Sequence, residues 1–71
     1  MDTLILLDVN NNPVYEETNN FTDSDICFCL DVHPEAAAYI ILHSSGNYSC
    51  AYKFGSSWVS ANSISGLNGK Y

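Results

Sequence analysis

The chain has 71 residues, with eight acidic side chains, two lysines and no arginine, which gives a formal net charge of −6 at pH 7. A chain of this length supports one small domain, because it buries only about 60% of its unfolded surface, and this excludes large catalytic architectures. An acidic chain without arginine also lacks the means to neutralise phosphates, which argues against nucleic acid as a direct ligand.

The first residues in chain order predict a β-hairpin. Residues 3–9 form an apolar run, with residues 4–9 as the predicted strand, and this run ends at three asparagines and Pro13, which are typical of a turn. Residues 14–17 can pair back on this run, so we expect a hairpin closed by the asparagine-rich loop. A polar stretch over residues 18–20 then separates the hairpin from the next segment.

Residues 25–32 alternate between apolar side chains and acidic or thiol side chains, and this period of two predicts a strand. Its apolar face would hold Ile26, Phe28, Leu30 and Val32, and its other face Asp25, Cys27, Cys29 and Asp31. Pro34, Glu35 and three alanines follow and predict a short helix or helical turn near residues 34–38. Residues 39–42 either continue that helix or begin a strand at Tyr39, and we favour the strand because they are aromatic and β-branched.

The last third of the chain predicts an antiparallel meander. Alternating residues 48–54 and residues 57–64 form two strands separated by the turn at Gly55 and Ser56, and the strand at Tyr39 precedes them. Residues 65–71 are expected to form a loosely held tail. The whole chain, residues 1–71, is therefore predicted to be one β-rich α+β domain. It would contain a small, mostly antiparallel sheet of four to six short strands and the short helix near residues 34–38.

The cysteines and histidines permit a metal site or a catalytic relay in principle, but their spacing indicates neither. Zinc modules normally show paired C-x-x-C units, whereas this chain has only Cys27-x-Cys29, with Cys50, His33 and His43 elsewhere. No phosphate-binding loop or nucleophile elbow accompanies these residues. We expect a protein without enzymatic activity, cofactor or bound metal, and keep a small zinc-binding domain as a third alternative.

The charge is divided unevenly, because all eight carboxylates lie within residues 1–35 and both lysines follow them. One interpretation is that the carboxylates only maintain solubility. The other is that strand spacing brings them within about 5–10 Å of one another, on one acidic face that binds a partner. The predicted face contains Asp8, Glu16, Glu17, Asp23, Asp25, Asp31 and Glu35, together with Asp2.

With this acidic set on a cysteine-poor, β-rich scaffold, the chain resembles in character the small acidic inhibitor proteins of phages and other mobile elements, including anti-CRISPR and DNA-mimic proteins. The resemblance implies a stoichiometric inhibitor that occupies the basic nucleic-acid channel of an effector complex, without chemistry, in the cytoplasm of a host cell. A cytoplasmic location also fits the odd number of cysteines and the lack of a signal-peptide or membrane-spanning pattern.

The aromatic residues lie mainly in the C-terminal half, which contains no carboxylate, and support an alternative function. Tyrosine and tryptophan often anchor protein interfaces, so Tyr48, Tyr52 and Trp58 are candidates for an interface of this kind. The alternative is therefore a homo-oligomeric structural or adaptor domain, with a homodimer as its simplest form. The leading prediction remains a protein-binding module whose acidic half meets a basic partner surface.

Overall fold

The computed structural model describes residues 1–61 of the chain. These residues form β1 (Asp2–Leu7), β2 (Pro13–Asn19), α1 (Asp23–Val32), β3 (Ala38–Leu42), β4 (Tyr48–Phe54) and β5 (Ser57–Ala61). The five strands make one antiparallel sheet with the order β2-β1-β3-β4-β5. The predicted fold class, a β-rich α+β domain with a small antiparallel sheet and one short helix, is therefore confirmed.

The predicted N-terminal hairpin is confirmed as β1 and β2, but β1 covers Asp2–Leu7 and ends two residues before the predicted end at Val9. Leu4 lies opposite Glu17 and Leu6 opposite Tyr15, with an irregularity in the register between Leu6 and Leu7. Strand β2 is longer than predicted, because it continues through Thr18 to Asn19 and pairs with the first residues of β1. Since β2 is the outermost strand of the sheet, one of its edges does not pair with any described strand.

The predicted C-terminal meander is also confirmed, as β3, β4 and β5. Gly46 and Gly55 have φ angles of 96° and 63°, a left-handed conformation that glycine adopts at low cost in the tight turns between these strands. The strand that begins at Ser57 continues to Ala61 within the described residues. Its predicted extension over residues 62–64 and the predicted tail over residues 65–71 lie outside the described part of the chain.

The prediction of a strand over residues 25–32 is wrong, because this segment lies in helix α1. The Thr22 hydroxyl accepts a hydrogen bond from the Asp25 N–H at 3.2 Å, and the Asp25 carboxylate accepts one from the Thr22 N–H at 3.0 Å. This capping box satisfies backbone donors at the helix start, while Asp23 and Asp25 place negative charge near the positive end of the helix dipole. Ile26, Cys29 and Leu30 also have helical spacing and pack against the sheet.

The helix predicted near residues 34–38 is wrong in its position. Proline disfavours the helical conformation of the residue before it, and His33 ends α1 with φ −124° and ψ 71°. The Ala36 N–H donates to the His33 carbonyl at 3.0 Å and forms a single turn. Ala37 then joins the sheet, since its N–H donates to the Leu7 carbonyl at 2.7 Å and its carbonyl accepts from the Lys53 N–H at 2.9 Å.

The two faces of the sheet carry separate hydrophobic clusters. On the face covered by α1, Leu4 and Leu6 pack with helix residues, Ala36 and Ile41. On the opposite face, Ile5 and Leu7 pack with Ala38, Ile40 and Cys50. All four residues from Leu4 to Leu7 have 0% exposure, which explains why β1 is a continuous apolar run rather than an alternating one.

Candidate functional site

Asp8, one of the predicted acidic-face residues, has a structural role in the β1–β2 loop. One of its carboxylate oxygens, Oδ1, accepts hydrogen bonds from the backbone N–H groups of Asn12, at 3.0 Å, and Asn10, at 2.8 Å. These hydrogen bonds, chiefly that from Asn12, lower the pKa of Asp8. Asn11, inside the same loop, has a φ of 62°, which is typical of a tight turn. The Asp8 carboxylate therefore closes a tight turn.

Two further carboxylates are paired with histidines. The Glu35 Oε1 lies 3.0 Å from His33 Nδ1, and hydrogen bonds from its own backbone N–H and from His33 lower the pKa of Glu35. The Asp2 Oδ2 lies 3.4 Å from His43 Nδ1, and its Oδ1 accepts a hydrogen bond from the Ser44 N–H at 3.2 Å. Asp2 therefore fastens the start of β1 to the turn that follows β3.

The three aspartates of α1 do not share the predicted acidic face. At about 100° per residue, Asp25 and Asp31 lie about 120° apart around the helix. Asp25 is turned towards β2, whereas Asp23 lies on the other flank of the helix, near Tyr39 and Trp58. The predicted proximity of Asp25 and Asp31 requires a strand, and it is wrong because the segment is a helix.

Glu16 and Glu17 are neighbours in β2 and point to opposite faces of the sheet. Glu16 is paired with Ile5, which belongs to the cluster away from α1. Glu17 is paired with Leu4, which belongs to the cluster beneath α1. The structure therefore brings Glu17 and Asp25 to one site and separates Glu16 from them.

Glu17 and Asp25 line a surface cleft of about 280 Å³ between β2 and α1, which we call the β2–α1 cleft. Its apolar lining consists of Phe21, Phe28, Cys29 and Val32. Its remaining lining consists of Tyr15, Glu17, Asn19, Asp25 and His33. The spacing of Asp25, Phe28, Cys29 and Val32 places these four residues on one side of α1, so a single helix flank supplies both a carboxylate and an apolar surface.

Tyr15 orders the polar wall of the cleft. Its hydroxyl donates a short hydrogen bond to Glu17 Oε1. The centroid of its ring lies 4.5 Å from that of the His33 ring, with 36° between the ring planes. The hydrogen bond to Glu17 is the main cause that raises the pKa of Tyr15 to about 12. Tyr15 is therefore a neutral phenol at physiological pH, and it holds the Glu17 carboxylate at the cleft.

The predicted aromatic interface is divided between the two faces of the sheet. Trp58 lies on the α1 side, where its ring centroid is 5.3 Å from that of Tyr39, and the two rings help to line a shallow depression of about 230 Å³. Tyr52 packs against the cluster on the opposite face, and the alternation of β4 places Tyr48 on that face too. The structure therefore brings Tyr48 and Tyr52, without Trp58, to one face.

The cysteines are also dispersed. Cys27 is exposed, whereas Cys29 and Cys50 are buried in clusters on opposite faces of the sheet. Burial is the main cause that raises the pKa values of Cys29 and Cys50. Within residues 1–61, which include every cysteine and histidine, no three residues with metal-binding side chains lie close enough to hold an ion.

The fold and the cleft together define a small β-rich α+β domain with an acidic cleft of partly apolar lining beside an edge strand. Comparisons with protein-family models, with curated proteins and with solved structures gave no match. Among the described residues, no helix has the length and apolar character needed to cross a membrane. The evidence for a function therefore lies in the chemistry of the cleft residues themselves.

Three residues of the site, Tyr15, Phe21 and Phe28, are not predicted by the sequence pattern. The cleft forms between β2 and α1. Because the alternating pattern predicts a strand where α1 lies, it does not predict the helix flank that lines the cleft. The sequence does contain a pattern that identifies this helix. Thr22 followed three residues later by Asp25 is the spacing of a capping box, and a helix that starts there places Phe28 and Cys29 next to Asp25.

Proposed function

We propose that this protein is a non-enzymatic protein-binding module, a stoichiometric inhibitor of the phage anti-CRISPR or anti-host-defence type. Its acidic N-terminal half would occupy a basic, nucleic-acid-binding surface of a partner protein in the host cytoplasm. The observation that carries this proposal is the β2–α1 cleft. There Glu17 and Asp25 stand beside exposed apolar side chains, and no described lysine lines the same space.

The electrostatics of the remaining surface supports this choice. The carboxylates of Glu16, Asp23 and Asp31 are exposed and form no hydrogen bond or ion pair with other residues of the described chain. Carboxylates without a neutralising partner contribute a long-range field, which accelerates encounter with a basic surface and is screened beyond about 8 Å at physiological ionic strength. A partner bound in this way should dissociate readily when salt is added.

The test uses the full chain to capture proteins from a bacterial lysate. A variant carrying Glu16→Gln, Asp23→Asn and Asp31→Asn is captured in parallel, because these changes remove charge without breaking a described hydrogen bond. We expect the wild type to retain a basic, nucleic-acid-binding protein that duplex DNA displaces. The complex should weaken at least about tenfold between low and high salt, and the variant should retain less of the same protein.

Two results would contradict the proposal. One is recovery of the same partner by the wild type and the neutralised variant in equal amounts. The other is a complex that neither salt nor duplex DNA displaces. Melting temperatures of both proteins, measured by circular dichroism, show whether a weaker variant has kept its fold.

A second candidate function, a homo-oligomeric adaptor, is favoured by the other side of the molecule. Phe54, Val59 and Tyr48 are 65%, 49% and 49% exposed and lie on the sheet face away from α1. Strand β5 carries no charged residue to prevent pairing through its outer edge. This interface would persist at high salt, and Val59→Lys should convert the oligomer to a monomer in analytical ultracentrifugation.

A further inference from the structure

The β2–α1 cleft combines negative charge with exposed aromatic surface. Phe28 is 65% exposed and Val32 53% exposed, although both line the cleft beside partly buried Phe21. Single exposed apolar residues are common on protein surfaces. Here they are grouped at a concave site with two carboxylates, which suits a ligand that has both an apolar and a charged part.

The two carboxylates act on the same space. Burial raises the pKa of the Cys29 thiol, and the negative charges of Glu17 and then Asp25 raise it further. Both carboxylates therefore influence the thiol at the base of the cleft. Among the described residues, His33 is the one lining side chain able to carry positive charge, and its Nδ1 is paired with Glu35.

The carboxylates also retain capacity to accept hydrogen bonds. Glu17 accepts from the Tyr15 hydroxyl through Oε1 and from Asn19 Nδ2, at 3.4 Å, through Oε2. Asp25 accepts from the Thr22 N–H through Oδ2. Because a carboxylate offers about four acceptor positions, each of these groups can receive further donors from a ligand. The hydrogen bonds already present fix the orientation of both groups before a ligand arrives.

The size and chemistry of the cleft select among cationic ligands. A volume of about 280 Å³ is below that of most cofactor sites, and fits one side chain. A metal ion needs more ligating side chains than the described residues bring together. An arginine side chain fits both the apolar and the acidic lining, since its aliphatic part packs on apolar side chains and its guanidinium N–H groups form paired hydrogen bonds with carboxylates.

From this geometry we propose that the β2–α1 cleft binds one arginine side chain of the partner protein, with the guanidinium between Glu17 and Asp25 and its aliphatic part against Phe28. The inference rests on the proposed function, because a basic partner surface supplies the arginine. It adds a defined contact to what is otherwise a long-range attraction. Lysine would bind less well, since its ammonium group is more strongly hydrated and has no planar fork of donors to match a carboxylate.

The test is an NMR titration of the full chain with short acetylated, amidated alanine peptides that contain one central residue. Arginine is compared with citrulline, its neutral isostere, and with lysine. We expect the arginine peptide to shift the amide resonances of Phe21, Asp25 and Phe28. Its affinity should exceed that of the citrulline peptide by about tenfold or more, because charge-assisted hydrogen bonds are the stronger ones.

Glu16 and Glu17 provide a matched pair of variants with the same change of charge. Glu17→Gln keeps an oxygen that accepts from Tyr15, so the wall of the cleft is preserved, and it should weaken arginine binding about tenfold. Glu16→Gln, on the opposite face of the sheet, should alter binding less than about twofold, as expected for a screened charge. Equal affinity for arginine and citrulline, or equal effects of the two variants, would overturn the inference.

The results also separate this inference from the proposed function. A salt-sensitive basic partner captured by a protein that does not bind the arginine peptide would refute the cleft assignment and leave the proposed function standing. Binding of the arginine peptide by a protein that captures no basic partner would support the cleft and refute the proposed function. Binding of the lysine peptide as tightly as the arginine peptide would refute the preference for guanidinium.

Discussion

The start of helix α1 offers a well-defined test of the structure. In the capping box, Thr22 Oγ1 accepts the Asp25 N–H at 3.2 Å, and Asp25 Oδ2 accepts the Thr22 N–H at 3.0 Å. Thr22→Ala removes the first hydrogen bond and leaves the Asp25 N–H at the helix end without its side-chain acceptor. The change also loosens the turn that directs Asp25 towards the β2–α1 cleft.

The size of the stability loss expected for Thr22→Ala follows from the exposure of Thr22. Thr22 is exposed, so water can replace part of the lost hydrogen bond, and the cost should be near the typical value of about 1 kcal/mol for N-cap replacement by alanine. For a domain of this size, that loss lowers the melting temperature by about 4–8 °C. Thr22→Ser keeps the hydroxyl acceptor and should change the melting temperature much less.

Thermal unfolding followed by far-UV circular dichroism measures this difference. The expected order of melting temperatures is wild type, closely followed by Thr22→Ser, and then Thr22→Ala. If Thr22→Ala melts with the wild type, the capping box does not stabilise α1. The capping residues would then not explain why this segment is a helix and not the predicted strand.

Three further predictions concern the cysteines, Tyr15 and Leu6. In the native protein a disulfide reagent should modify exposed Cys27 fast, whereas buried Cys29 and Cys50 should react only when the protein unfolds. Fast modification of a second thiol would contradict this burial. Between pH 10 and 12 the protein should lose stability, because the raised pKa of Tyr15 favours the neutral phenol in the folded state. Tyr15→Phe should make this loss smaller. A variant with the same pH profile as the wild type would argue against the Glu17 hydrogen bond. Leu6→Ala should lower the free energy of unfolding in urea by about 2–5 kcal/mol, and a loss below about 1 kcal/mol would contradict its complete burial.

The strands are predictable because their turns and their apolar patterns agree. Gly46 and Gly55 stand where the backbone needs a left-handed conformation, and the residues between them alternate with a period of two. The asparagine-rich loop before Pro13 likewise predicts the first hairpin. In these segments, local turn chemistry and burial favour the same structure, so the elements are predictable from the sequence alone.

Helix α1 is not predictable from alternation, because its apolar residues fit two periods. Ile26 and Leu30 share one face of a helix and also one face of a strand, so the apolar pattern alone does not distinguish them. Exposed Phe28 makes the strand pattern look complete, although it lies at the cleft and not in the core. The capping residues Thr22 and Asp25 decide between the two periods.

The candidate site is predictable in its chemistry but not in its geometry. The uneven charge identifies the N-terminal half, and Glu17 and Asp25 belong to the predicted acidic face. Glu17 and Asp25 come together because of the way α1 packs on the sheet after β2. No local sequence pattern predicts this tertiary packing. The other carboxylates are dispersed by the same packing, since Asp8 closes a loop and Glu35 pairs with His33.

The role of the β2–α1 cleft is tested most directly by the dissociation constant between a captured basic partner and the variants Glu17→Gln and Glu16→Gln. Both variants lose one negative charge from adjacent positions of β2, so their effects on the long-range field are nearly the same. We expect Glu17→Gln to weaken the complex at least about fivefold, and Glu16→Gln to change it less than about twofold. Equal weakening by both variants would show that net charge, and not the β2–α1 cleft, determines binding.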